Sequence, residues 1–356
     1  MRFAEYIMQD IEKFEESLEH SQTPHKSALN TNLNKDHSKH STIQKILSDI
    51  KFNVNKEDKQ IILKDKRIPI SRELFKEIII APSNSKMAFI DGGNGEILRA
   101  PNFSLQFIRL YCTTYQNNKR IQRKQKEFYV LVHLKTDNTY EVRAFREYEQ
   151  LEMDFNSSDS TLKQGEHKVS PSTVAEHFRK LCEIKFAEEI SSELSEGDFI
   201  VRDGDLDANA TYEKEFYNKI LSLSKITLVG FSKTTTLTTD SGNSATVALN
   251  SISPHKKWFY AHENICFAKL HEKSKYVFRI DVSNSGKIAE IISLLAENSK
   301  DLSFLGYPYA LIEADKFARV TKEELQQQKM LFLAKGGEEF RNYLSALDAH
   351  DVLNRI

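Results

Sequence analysis

Two apolar runs in this sequence end on an aspartate followed by glycine: AFIDGG, carrying Asp91, and FIVRDGD, carrying Asp203. A strand of Ile, Val and Phe is a buried element, and a carboxylate taken into one is costly unless something pairs with it. A glycine next to the acid lets the backbone turn and leaves room for a ligand. A third acid is available between the two, where Arg179 and Glu183 stand four residues apart and share one face of a helix. Three oxygen donors from two strands and a helix suit a hard divalent cation such as Mg²⁺ or Mn²⁺. Two such ions about 4 Å apart would activate a water and stabilise the leaving oxygen of a phosphodiester. The competing reading makes each aspartate a turn former. On the residues alone both stand.

Other chemistries fit less well. Asp203, Asp205, Asp207 and Asn209 imitate the start of a calcium loop, but the required glycine is Ala208 and the twelfth position is Lys214. GGNGE lacks the Lys-Ser/Thr end of a phosphate loop, and GxGxxG after a strand, GxSxG and HExxH are all missing. Cys112, Cys182 and Cys266 are scattered and read as reduced core thiols. The net charge of -1 excludes a histone-like nucleic-acid binder but not an enzyme that meets phosphates through bound cations and local basic patches.

The elements that must position these acids follow from the pattern. Phe3, Tyr6, Ile7, Ile11, Phe14 and Leu18 fall at helical spacing, predicting an N-terminal helix over 1–18. A polar stretch over 19–42 reads as a linker, and 43–85 as a mixed helical and extended segment. From residue 86 strands dominate: MAFID, EILRA, FSLQFIRLYCTTY, EFYVLVHLK and TYEVRAF. A helix starting near Ser170 or Ser172, the strand DFIVRDGD, a helix over 212–223 and the strands ITLVGFSK, ICFAKL and KYVFRIDV come next. A helix over 286–296 and two short helices after GYPY close the series. This is a mixed sheet with helices packed on it, of α/β class. No apolar run approaches the length of a membrane span, and the N-terminus lacks a signal-peptide core, so a cytoplasmic protein without membrane contact is expected.

The ordered set AFIDGG, FRKLCE, FIVRDGDL, VGFSKT, VFRIDV and GYPYALIEADKFARV resembles the NurA nuclease domain, over 86–335 with a helical tail at 336–356. The resemblance implies an RNase H-like fold related to the Piwi module, a homodimer, and Mn²⁺-dependent (or Mg²⁺-dependent) DNA degradation. It also implies 5′ to 3′ exonuclease action, with single-strand endonuclease activity beside it, and end resection at double-strand breaks with a HerA-type hexameric ATPase, in archaea and some bacteria. The family's metal acids fall on Asp91, Glu183 and Asp203, with Glu188 and Glu189 as substitutes for Glu183. The family's late tyrosine falls on Tyr307 and its lysine on Lys233, placed to meet the scissile phosphate. Where some members carry histidine this chain has Asp315, which keeps oxygen ligation but loses a near-neutral proton donor. It also reads DGDL where the family has DGSL, which leaves Asp205 without a role. The departures motivate an alternative: a catalytically silent RNase H-like subunit that binds or regulates a DNA-translocating ATPase.

Two segments could touch single- or double-stranded DNA ends. Lys119, Arg120, Arg123 and Lys124 crowd a predicted hairpin tip. Lys256, Lys257 and Trp258 interleave cations with aromatics as stacking surfaces do. A solvated loop and a core or interface tryptophan are the plain alternatives.

Overall fold

The fold is described from a computed structural model, and the structure describes residues 43–46, 58–64, 66–163, 168–222 and 225–347. The chain divides into two units, Met1–Lys56 and Glu57–Ile356. The expected N-terminal helix and linker lie outside the described residues. No helix among the described residues is long and apolar enough to cross a membrane.

In the second unit, β1 (Gln60–Leu63) and β2 (Lys66–Pro69) pair as a hairpin, and β3 (Phe75–Glu77) follows. Three long antiparallel strands come next: β4 (Met87–Ala100), β5 (Phe103–Gln116) and β6 (Lys119–Leu134). Asn117 and Asn118 make the β5–β6 turn at φ 51 and 56, the left-handed pair that a two-residue hairpin needs. After β7 (Thr139–Phe145) and β8 (Met153–Asn156), α1 (Pro171–Ser191) begins on Ser170, whose side chain accepts from the Thr173 N–H. Then come β9 (Phe199–Asp203), α2 (Glu213–Ser222), β10 (Thr227–Ser232), β11 (Thr238–Thr239) and α3 (Ala245–Ile252). β12 (Trp258–His262), β13 (Ile265–Lys269) and β14 (Phe278–Val282) precede α4 (Ile288–Glu297), α5 (Tyr309–Ala318), α6 (Lys322–Lys335) and α7 (Glu338–Leu347).

Eleven strands form one sheet in the order β3-β12-β13-β14-β10-β9-β4-β5-β6-β7-β8, and β11-β1-β2 form a small second sheet. β9 lies parallel to both β4 and β10. The run β6-β5-β4-β9-β10, with helical crossovers before β9 and β10, is the RNase H-like core. Strand alternation sends Met87, Phe89, Phe199, Val201, Val229 and Phe231 to the face covered by α4 and α5. Ala88, Ile90, Ile200 and Leu228 go to the face covered by α1 and α2.

MAFID and EILRA are one strand, not two. Gly92, Gly93 and Gly95 sit inside β4 because helices press directly on their Cα atoms. Spacing also missed β12, whose aromatics suggested a surface, and the short β11 and α3. Three helices, rather than two, follow GYPY.

Candidate active site

β4 continues well past Asp91, but its parallel pairing with β9 stops at Ile90–Arg202. Asp91 therefore stands where the ladder opens. Asp203 is the last residue of β9, and Lys233 follows the last residue of β10. Three candidate side chains thus sit level with one another, two at the carboxyl ends of β9 and β10 and Asp91 where β4 parts from β9, the edge at which open α/β sheets bind ligands. Alternation with Phe89, Val201 and Phe231 points all three to the α5 face.

α5 and the turn before it bring the remaining members. Lys233 Nζ lies 2.9 Å from Asp203 Oδ2 and 3.3 Å from Asp315 Oδ1, while Arg319 holds the other oxygen of Asp315 at 2.8 Å. Burial, then repulsion from Asp203 and Asp315, pushes the Asp91 carboxyl up to about 6, against the Gly92 N–H at 2.8 Å and the Lys233 charge. Burial works against the Lys233 ammonium, yet Asp203, Asp315 and Asp91 together raise its pKa, so it stays charged. The Tyr307 hydroxyl is buried without a hydrogen-bond partner, and burial together with Asp203, Asp91 and Asp315 drives its pKa upward. Asp91, Asp203, Asp315, Lys233 and Tyr307 form one electrostatic cluster.

Glu183 belongs to the other face. It sits on α1, where its carboxylate is held by Arg179 and, at 3.3 Å, by Arg202. Arg179 also donates to the Gly92 carbonyl at 2.7 Å. A Cβ on Gly92 would fall 2.5 Å from Glu183 Oε1, so the glycine is what lets this acid approach the Asp91 turn. Glu188 pairs with Lys185 and Glu189 with Lys126. Arg202, next to Asp203, was overlooked in the sequence; its signal was a cation at a buried position of FIVRD.

Among the described residues no three His, Cys, Asp or Glu side chains converge as a ready-made metal site. Lys233 stands between Asp203 and Asp315, and two guanidinium groups hold Glu183. The donor chemistry nonetheless fits a hard cation: carboxylate oxygens whose mutual repulsion calls for more positive charge, beside an orphaned buried hydroxyl.

Asp205 and Asp207 do not point into this cluster. With Asp281 they surround the buried guanidinium of Arg279, at 3.9, 3.5 and 2.8 Å. Asp281 also accepts from the Leu206 N–H at 3.1 Å, tying down the loop after Asp203.

The two DNA-contact segments fare differently. Lys119, Arg120, Arg123 and Lys124 lie on β6 rather than in a loop, and Lys124 pairs with Glu193. Trp258 is fully buried, its ring 4.9 Å from Phe75, so the aromatic part of the second patch is core. Its apolar neighbours from β1 and α3 outcompete solvent for that ring. Lys256 remains exposed, on the far side of the sheet order from β6.

The model of the NurA domain matches residues 85–320. The chain belongs to the NurA domain family. No curated protein sequence matches it. Among solved structures, the NurA nuclease from Sulfolobus solfataricus is similar at 13% identity, over 73% of this chain and 86% of that one, with a TM-score of 0.45. Marinitoga piezophila Argonaute, in complex with guide RNA and target DNA, is similar at 16% identity over 67% of this chain and 30% of its own, TM-score 0.32. Ciona intestinalis endonuclease V is similar at 11% identity over 70% and 92%, TM-score 0.35. The matched NurA range takes in every member of the cluster, from Asp91 to Asp315.

Proposed function

We propose that this NurA-domain protein is a Mn²⁺- or Mg²⁺-dependent DNA nuclease. The observation that carries the reading is Asp203 and Lys233 at the ends of β9 and β10 beside Asp91, where β4 parts from β9, met by Asp315 and Tyr307 from the α5 side. Asp91, Asp203 and Asp315 would hold the cation, with Glu183 reaching past Gly92 as a further ligand. The bound cation supplies Lewis-acid polarisation of the phosphodiester and a lowered water pKa. Lys233 neutralises a phosphate oxygen as a point charge. The Tyr307 hydroxyl, kept protonated, donates a hydrogen bond to the same group. Arg179 and Arg202 balance Glu183 and fix its place beside the Asp91 turn. Buried Phe231 and Phe278, packed around Tyr307, keep water from its ring side.

The DNA strand meets the hairpin end of β6 at Lys119, Arg120 and Arg123, the two guanidinium groups keeping their ion pairs with Glu313, with Lys124 on the opposite sheet face and Lys256 and Lys257 as outlying contacts; Trp258 has no part in it. In this reading the protein acts as a homodimer on single- and double-stranded ends, 5′ to 3′, with single-strand endonuclease activity, beside a HerA-type hexameric ATPase in double-strand break resection. The test is cleavage of end-labelled DNA with Mn²⁺, with and without such an ATPase, by the wild-type chain and by Asp203→Ala. Equal cleavage by both proteins refutes the assignment.

One observation favours a second reading. Cationic side chains already neutralise Asp203, Asp315 and Glu183, as in a silent subunit that regulates a DNA-translocating ATPase. Stimulation of the ATPase without any nuclease activity would select it.

A further inference from the structure

Glu313 lies on α5, only 4% exposed, and takes no part in the chemistry above. A carboxylate buried this deeply needs compensation. It has five partners: hydrogen bonds from Tyr115 Oη at 2.7 Å, Tyr111 Oη and Arg120 Nη1 at 3.0 Å and Thr113 Oγ1 at 3.4 Å, and an ion pair with Arg123 Nε at 3.2 Å. All five come from the β5–β6 hairpin. Tyr111, Thr113 and Tyr115 share a strand face by alternation. Arg120 and Arg123 are three apart and would ordinarily face opposite ways. Between the pairs Thr114–Gln122 and Tyr115–Arg120, however, β6 carries one extra residue, Ile121, and this bulge turns both guanidinium groups to the same carboxylate.

The two ends of this clasp touch the candidate site. Tyr111 is the direct strand partner of Asp91. Asp315 follows Glu313 by two residues, about 200° around the helix, so the acid gripping the hairpin and the acid facing Lys233 project to opposite sides. α5 already has an apolar contact face in Ala310, Leu311, Ala314 and Ala318, which holds it to the sheet without Glu313. Alanine side chains let the helix approach closely but give it few projections to set its register, whereas a carboxylate held by five partners fixes position along and around the axis.

We propose that Glu313 is a positioning residue: by clasping the bulged hairpin it sets α5 so that Asp315 faces Asp203 and Lys233. The proposal rests on the reading of Asp315 as part of the active site. The test uses the full chain with Glu313→Gln, and Arg123→Met as a milder variant, against Val142→Ala, a buried β7 change remote from the cluster chosen as a stability control. Two quantities are read: hydrogen exchange of the α5 amides in metal-free protein, and Mn²⁺ affinity by electron paramagnetic resonance. Glu313→Gln should speed α5 exchange by about tenfold or more and weaken Mn²⁺ binding by about 10-fold to 100-fold. Arg123→Met should move both the same way by less, and Val142→Ala should leave both unchanged. Unchanged α5 exchange overturns the proposal, and so does loosened α5 with wild-type Mn²⁺ affinity, which would reduce Glu313 to a stability role. Should the wild-type protein bind no Mn²⁺, the active-site reading fails, and α5 exchange alone then upholds or overturns the clasp.

Discussion

Replacing Gly93 by alanine tests how tightly the strand carrying Asp91 and the helix carrying Asp315 are fitted together. A Cβ on Gly93 would lie deep inside contact with the Ala318 carbonyl oxygen, 2.8 Å from the carbonyl carbon and 3.2 Å from the Arg319 Cα. All of these atoms are backbone, so no rotamer change relieves the overlap. The C-terminal turn of α5 must retreat by roughly 1 Å, and a misplacement of that size costs on the order of 10²-fold in rate when it moves a catalytic group. Overpacking of this kind should also cost about 1–3 kcal/mol in stability. With free space at Gly93 the sign would reverse, because glycine to alanine in an unstrained position stabilises by about 0.4–1 kcal/mol. Urea unfolding and Mn²⁺-dependent cleavage of end-labelled DNA give the two readouts. A Gly93→Ala protein as stable as wild type, cutting DNA at the wild-type rate, would refute the close fit of β4 and α5.

Two further outcomes follow from the electrostatics. Lys233→Met removes a cation that competes for Asp203 and Asp315, so Mn²⁺ affinity should hold or tighten while cleavage falls by at least about 10²-fold; cleavage at the wild-type rate would show that Lys233 only balances charge. Burial holds the His177 ring below its ordinary pKa, against its 2.7 Å hydrogen bond to the Thr211 carbonyl and the Glu213 charge. The unfolded chain therefore takes up the proton first, and the stability His177 contributes is complete above about 6.5 and is lost as pH falls through the folded value. The urea-unfolding free energy of wild type relative to His177→Gln should drop between about pH 7.5 and about pH 5.5; a constant difference would contradict the shift.

Asp203 was legible at its strand end because the signal is local: apolar run, carboxylate, glycine; the same signal at Asp91 marks no strand end, since β4 runs on to Ala100. FIVRDGD and VGFSK ended their strands as the pattern implied, and the sheet with flanking helices followed from the same periodicities. What stayed hidden depends on contacts distant in sequence. Glycine at 92, 93 and 95 looks like a strand break until α1, α5 and α6 are laid against it. The HKKWFY stretch has the composition of a stacking surface, and only the strand pairing of Trp258 with Glu77 and Lys269 shows that it is core. The division of the acids between two faces was equally out of reach, since Glu183 and Asp91 are joined only through Gly92. Glu313 gave a weak signal, a charge in the apolar run ALIEA, but its five partners lie some two hundred residues earlier.

The central claim is that Asp91 and Asp203 belong to one cation-binding carboxylate cluster. Titration of Mn²⁺ into the metal-free full chain, followed by electron paramagnetic resonance, tests it without relying on cleavage. The account predicts saturable binding by wild type, lost in both Asp91→Asn and Asp203→Asn while each variant unfolds in urea like the parent. Binding that survives in either folded variant would contradict it.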